Sequence, residues 1–150
     1  MIAVLQRINS AEVISDGAFS GKAGKGLYIL LGVAAGDTEA DSTALAEKIS
    51  KLRIFCDENG KMNLSVKDIG GRALVVSNFT LMANYAHGNR PDYLNSAPPA
   101  IANELYEFFK SELSSRIGEC ESGKFGADMR TEMSTDGPVT IVMDSAVLRK

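Results

Sequence analysis

The feature that most limits what this chain can become is the apolar run at residues 26–34, Gly-Leu-Tyr-Ile-Leu-Leu-Gly-Val-Ala. It has no polar face, as expected of a strand buried on both sides. A second run, residues 73–79, is the strongest strand in the chain: it starts Ala-Leu-Val-Val and ends on Ser77, Asn78 and Phe79. Between them, Asp37, Thr38 and Glu39 carry capping and acidic first-turn chemistry. Ala46, Ile49 and Leu52, with Leu45 beside them, then share one helical face.

The remaining elements follow from period and punctuation. The opening alternates, with Ile2, Val4 and Gln6 against Ala3, Leu5 and Arg7, and continues after a bend through residues 11–14. Asp16-Gly17 signals a hairpin. Residues 21–26 are rich in Gly and Lys but lack the spacing and Lys-Ser/Thr ending of a phosphate loop, so they are read as a turn. Residues 53–56 return to strand, ahead of a turn at 57–60. A long polar loop, 83–97, carries His87, Arg90 and Tyr93. Ser96, Pro98 and Pro99 announce a second helix, striped by Leu105, Phe108, Phe109, Leu113 and Ile117. From Phe125 onward the chain reads as strands, with a turn at 135–138 and a closing strand at 139–143. Two helices among about seven strands, without repeat or linker, predict a single mixed α/β domain over residues 1–150.

Composition narrows the function classes. At 45% hydrophobic and 23% charged residues the balance is that of an ordinary globular domain, and no apolar run approaches the ~20 residues of a membrane helix. The start has no signal-peptide regions, so a cytoplasmic location is expected. A net charge of −3 argues against coating long stretches of nucleic acid, which takes a basic face. It leaves room for capture of an RNA end. Lys22, Lys25, Lys61, Arg72, Arg90, Lys124 and Arg130 are candidates for a basic rim, against the alternative of a solvated surface.

The usual catalytic groups are scarce. His87 is the only histidine, has no motif around it, and would have to serve any Ser-His-Asp triad. Cys56 and Cys120 are far apart and form no CxxC pair; they are read as buried or partly buried thiols. One His and two unclustered Cys make a poor ligand set, so neither a metal nor a cofactor is expected. Two segments remain. Ser77-Asn78-Phe79-Thr80-Leu81 and Thr135-Asp136-Gly137-Pro138-Val139-Thr140 each put small polar groups and backbone where a strand meets a loop. On residues alone, Ser77 and Thr80 serve equally as site groups or as strand-end hydrogen bonders. Gly137-Pro138 is then an ordinary trans step.

These two segments resemble the signatures of the D-aminoacyl-tRNA deacylases. The resemblance extends over nearly the whole chain. It runs through Met1-Ile2-Ala3-Val4-Leu5-Gln6-Arg7, Arg53-Ile54-Phe55, Asn59-Gly60-Lys61-Met62-Asn63-Leu64, Arg90-Pro91 and Gly123-Lys124-Phe125-Gly126-Ala127-Asp128-Met129. The family usually has Gln where Asn78 stands and Asn where Thr135 stands. The resemblance implies a barrel-like pair of β-sheets with two helices on one outer side, acting as a homodimer. It implies hydrolysis of the ester of a D-amino acid at the 3′ end of a tRNA, with glycyl-tRNA mischarged on the wrong tRNA as a possible second substrate.

By the same resemblance, Ser77, Asn78, Phe79 and Thr80 form the catalytic strand end; the peptide N–H groups of Asn78, Phe79 and Thr80 are the expected donors to the oxyanion, and the ribose 2′-hydroxyl assists. Gly137 and Pro138, joined cis, cross into the partner's pocket and read the α-carbon, and Arg7 holds their turn, with an exposed strand arginine as the alternative reading of Arg7. Phe79, Phe125 and Met129 wall the pocket, with ordinary core as the alternative for each. Two other readings stay open: a non-catalytic tRNA-end or small-ligand binder on the same fold, and a small-ester hydrolase using Ser77 or Thr80.

Overall fold

The structure is a computed structural model that describes residues 1–149. In order it has β1 (Ile2–Ser15), β2 (Ala18–Ala23), β3 (Gly26–Gly32), α1 (Glu39–Lys51), β4 (Phe55–Cys56), β5 (Met62–Leu64) and β6 (Arg72–Ser77). A 3₁₀ turn (Phe79–Met82), α2 (Pro99–Ile117), β7 (Cys120–Ser122), β8 (Met129–Asp144) and α3 (Ser145–Leu148) follow. Strands β1, β2, β3, β6, β7 and β8 form one six-stranded sheet; β4 and β5 form a small second one.

β1 is the spine. Ile2–Gln6 carry β3 on one side and β8 on the other, whereas residues 11–15 lie between β2 and β8. The Asp-Gly hairpin behaves as its sequence requires: Asp16 and Gly17 both take positive φ, 51° and 80°, the two-residue turn that matches strand twist. β3 pairs in parallel with β6, and β6 with β7. Each parallel step needs a crossover, and α1 and α2 supply them. Two successive right-handed crossovers in one direction place both helices on the same face.

That face is the main core. Leu27, Ile29, Leu31, Ala73 and Val75 of β3 and β6 meet Leu45, Ala46 and Ile49 of α1 and Leu105, Phe109 and Leu113 of α2. Phe109 is fully buried, and cutting it to Ala would cost about 3–5 kcal/mol. The alternate residues of the same strands, Tyr28, Leu74 and Val76, face the other way and pack with Ile8, Ala11, Val13 and Ala23. Both faces of β3 are therefore buried, as its unbroken apolar run requires. In β1 the buried parity changes from Ile8 to Ala11 and Val13, and the β8 register shifts there. This is the bend expected near residue 10.

The sheet curls almost shut. β2 approaches β7 so closely that a Cβ on Gly21 would lie 2.8 Å from the Ser122 carbonyl oxygen, and the Lys22 N–H donates to Glu121 Oε2 at 2.7 Å. The expected turn at 21–26 is thus shorter: residues 21–23 belong to β2, and only Gly24 and Lys25 separate it from β3. Strand 53–56 shrinks to the two residues of β4. β7 was not legible, because three half-buried residues, Cys-Glu-Ser, carry neither period nor apolar run. Residues 135–143, expected as turn and strand, are one continuous β8 with a bulge.

α1 opens as read, with the Asp41 carboxylate accepting from the Thr38 N–H and hydroxyl at 2.9 and 3.0 Å. Asp41 is buried. Burial opposes its charge, but donors from Arg149, Thr38 and Ser145 outweigh that and hold its carboxyl well below the usual range. Among the described residues every buried side-chain nitrogen and oxygen has a partner.

Candidate active site

β6 emerges from under α2, ends at Ser77, and turns at once into the 3₁₀ turn at the mouth of a cleft of about 940 Å³. One wall is Ser77, Asn78, Phe79 and Thr80; Tyr28, Leu30 and Val76 form the floor. The facing wall is Phe125, Met129 and Thr131, while Tyr93, Leu94 and Pro98 close the rim. The structure therefore gathers six of the nine expected site residues in one place. Thr131 is an addition that the alternation of β8 could have indicated. Tyr28 is another; its phenol lies 3.1 Å from the Thr131 hydroxyl, and burial raises its pKa.

The strand end is built from local bonds. Asn78 caps the 3₁₀ turn: its side-chain oxygen accepts from the Thr80 N–H at 3.2 Å and from the Thr80 hydroxyl. The Asn78 N–H donates to the Leu31 carbonyl at 2.8 Å, which ties the turn to β3. Two of the three peptide N–H groups expected to face a substrate are thus occupied. The third, of Phe79, is the first residue of the turn and precedes its first internal bond. Among the described residues no acceptor takes it. The Phe79 ring is 57% exposed and packs edge-on to Tyr93 at 4.9 Å.

Phe125 resolves the choice between wall and core by being both. It lines the cleft and packs on the main core, 5.9 Å from the Tyr106 ring. Tyr106 is buried and donates to the Val75 carbonyl at 2.9 Å, which braces β6 just before the strand end.

Arg7, Gly137 and Pro138 stand apart from this cleft. Between Ile8↔Thr135 and Gln6↔Thr140 the register of β8 shifts, so residues 136–139 bulge out opposite Arg7 alone. The Gly137-Pro138 peptide is cis. Arg7, an almost fully buried guanidinium, clamps the bulge. Its Nε donates to the Asp136 carbonyl at 3.0 Å and pairs with the Asp136 carboxylate at 3.1 Å; another nitrogen donates to the Ile54 carbonyl at 2.7 Å. A Cβ on Gly137 would fall 2.1 Å from the Val139 nitrogen, so the bulge accepts only glycine there.

The other candidates disperse. His87 is exposed on the 83–97 loop and does not line the cleft. Cys56 is exposed, contrary to the expected burial, because it sits on the short outer β4. Cys120 is half-buried, and burial pushes its thiol up to about 11, so it stays protonated. Of the proposed rim, Arg72 pairs with Glu119, Lys124 with Asp16 and Arg130 with Glu132. Among the described residues no three His, Cys, Asp or Glu side chains are placed to share a metal ion. No helix there is long and apolar enough to cross a membrane.

Comparison with known proteins identifies the family of the chain. Residues 4–144 match the model of the D-Tyr-tRNA(Tyr) deacylase family. A D-aminoacyl-tRNA deacylase of Ruegeria pomeroyi is 52% identical over 144 residues, spanning 96% of this chain and 99% of that protein. A solved structure described as a c-Myc DNA unwinding element binding protein superposes with a TM-score of 0.89 at 37% identity, covering 96% of this chain and 98% of that one. A probable eukaryotic D-amino acid tRNA deacylase shares the fold, with a TM-score of 0.83 at 14% identity over 95% of this chain and 97% of that one. The chain belongs to the D-Tyr-tRNA(Tyr) deacylase family.

Proposed function

We propose that this chain hydrolyses the ester joining a D-amino acid to the terminal adenosine of a tRNA. The observation that carries the reading is the Phe79 N–H, a donor with no acceptor among the described residues, at the mouth of a cleft where the Asn78 and Thr80 N–H groups are already bonded. An aminoacyl ester is an activated acyl group. Its cleavage needs the ester held in place and a donor for the developing oxyanion, and a fixed peptide N–H provides that without reorganisation. The ribose 2′-hydroxyl assists from the substrate side. The Thr80 hydroxyl donates to Asn78 and has no base beside it, so it acts as a brace rather than a nucleophile.

Selection of the D form is assigned to Gly137-Pro138. Carbonyls of that bulge would accept from the α-ammonium and fill the space of an L side chain. The bulge does not line its own chain's cleft, so this role requires a second copy. A homodimer is further supported by an uncovered apolar row, Val142–Val4–Leu30, in register across β8, β1 and β3. Val142 is 68% exposed, and Leu30 leads directly into the cleft. A cytoplasmic location follows from a tRNA substrate, and glycyl-tRNA, which lacks any side chain, is a second substrate the same selection would admit.

The deciding experiment is deacylation of matched D- and L-tyrosyl-tRNA and D- and L-aspartyl-tRNA. Both D esters are cleaved and both L esters spared. Equal cleavage of the two hands overturns the reading. Binding of D-aminoacyl-tRNA without turnover establishes instead the alternative, a non-catalytic tRNA-end binder on the same fold.

A further inference from the structure

The geometry points to Gly123 as a positioning residue that keeps the cleft open by giving the Met129 thioether somewhere else to lie. Gly123 is buried, and its conformation is not the left-handed one, so its lack of a side chain is not explained by its backbone. It is explained by its neighbour. A Cβ on Gly123 would lie 2.4 Å from Met129 Sδ, nearer than any real contact, while Ser15 Oγ and Val13 Cγ1 sit at an ordinary 3.7 Å. The bare face of Gly123 is thus the seat of that sulfur.

The glycine cannot step aside. Its N–H donates to the Val75 carbonyl at 3.2 Å, and its carbonyl accepts from the Tyr106 hydroxyl at 3.3 Å. A methyl group at 123 must therefore displace Met129. On the inner side Met129 packs against the buried cluster that contains Ile8, Val13, Tyr28 and Leu74, and close-packed interiors resist an added side chain. The remaining direction is the cleft that Met129 lines beside Phe125 and Thr131. Methionine is flexible enough to make that move without unfolding the strand. Gly123 thus acts on the substrate through Met129 rather than by touching it.

This inference rests on the esterase reading of the same cleft. The probe is a non-hydrolysable D-tyrosyl-adenosine amide titrated by calorimetry. Gly123→Ala is expected to weaken its binding at least tenfold, with a matching rise in KM for D-tyrosyl-tRNA and a smaller change in kcat. In the Gly123→Ala/Met129→Ala double variant, binding returns to within threefold of Met129→Ala alone. A folded Gly123→Ala that binds the amide as wild type does, or a folded double variant without recovery, overturns the inference. A measurement on the wild type needs no variant to fold: the methyl resonance of Met129 shifts when the amide is added, and an unmoved resonance overturns the inference as well. If wild type cleaves D-tyrosyl-tRNA but Gly123→Ala is unaffected, only the role of Gly123 falls. If wild type neither binds nor cleaves, the reading of the cleft falls with it.

Discussion

The strand end at Ser77–Thr80 and the bulge at Asp136–Val139 are built by opposite means. The first is held by bonds that span two or three residues, plus one to the adjacent strand. The second is held by Arg7, 129 residues away in sequence, whose guanidinium also reaches the Ile54 carbonyl on a third segment. A locally bonded turn survives the loss of one side chain, because its neighbours and backbone still define it. A bulge clamped from a distance has one support, and fails when that support or its only tolerated residue is changed.

The comparison breaks first at Gly137. Gly137→Ala puts a Cβ on the Val139 nitrogen, so the bulge must reopen while the rest of β8 stays paired. Deacylation of D-tyrosyl-tRNA should fall about 100-fold or more, the scale of a ~1 Å misplacement of the reacting groups. Circular dichroism should be unchanged; a fully active Gly137→Ala would show that the bulge is not part of the site.

Arg7 comes next. Arg7→Ala leaves the Ile54 carbonyl and Asp136 without their donors and should lower the unfolding free energy by about 1.5–3 kcal/mol in a denaturant titration. Arg7→Lys keeps the charge but not the planar fork, and should restore stability only in part. If Lys restores both stability and rate, the clamp is electrostatic rather than geometric.

At the strand end the effects shrink. Asn78→Ala removes a cap worth about 1 kcal/mol and should slow the reaction only a few-fold, since the Leu31 and Leu81 bonds remain. Thr80→Ala should retain most of the activity. A true nucleophile would instead cost several orders of magnitude, and a dead Thr80→Ala would reinstate side-chain catalysis. Smallest of all, exhaustive chelation should leave the rate unchanged; a loss restored by zinc would reveal a ligand set not apparent in the chain.

The same contrast explains what could be read from the sequence. The long strands β1, β3 and β6, both main helices, the Asp16-Gly17 hairpin and the strand end near Ser77 were legible because period, capping and turn chemistry act over a few residues. The continuity of β8 through residues 135–138 was not, because a Gly-Pro step looks like a turn wherever it stands and only pairing with β1 makes it a bulge. Nor was the occupation of the Asn78 and Thr80 N–H groups, which depends on a side-chain rotamer and on the Leu31 carbonyl. Gly123 was visible as part of a motif, but its purpose required the position of one sulfur atom.

The bulge also bears on how open the outer edge of β8 is to pairing with another strand. Among the described residues β8 has no strand on its outer side, and sixteen residues of free edge would be a long template for pairing with other chains. Pro138 has no N–H to offer, and the displaced residues 136–139 cut the edge into two short pieces. Arg130 and Glu132 put charge on one piece and Asp144 on the other. Straightening the bulge would thus do more than disturb a site: it would restore an uninterrupted sticky edge, and aggregation on storage would report the change even in the absence of any substrate.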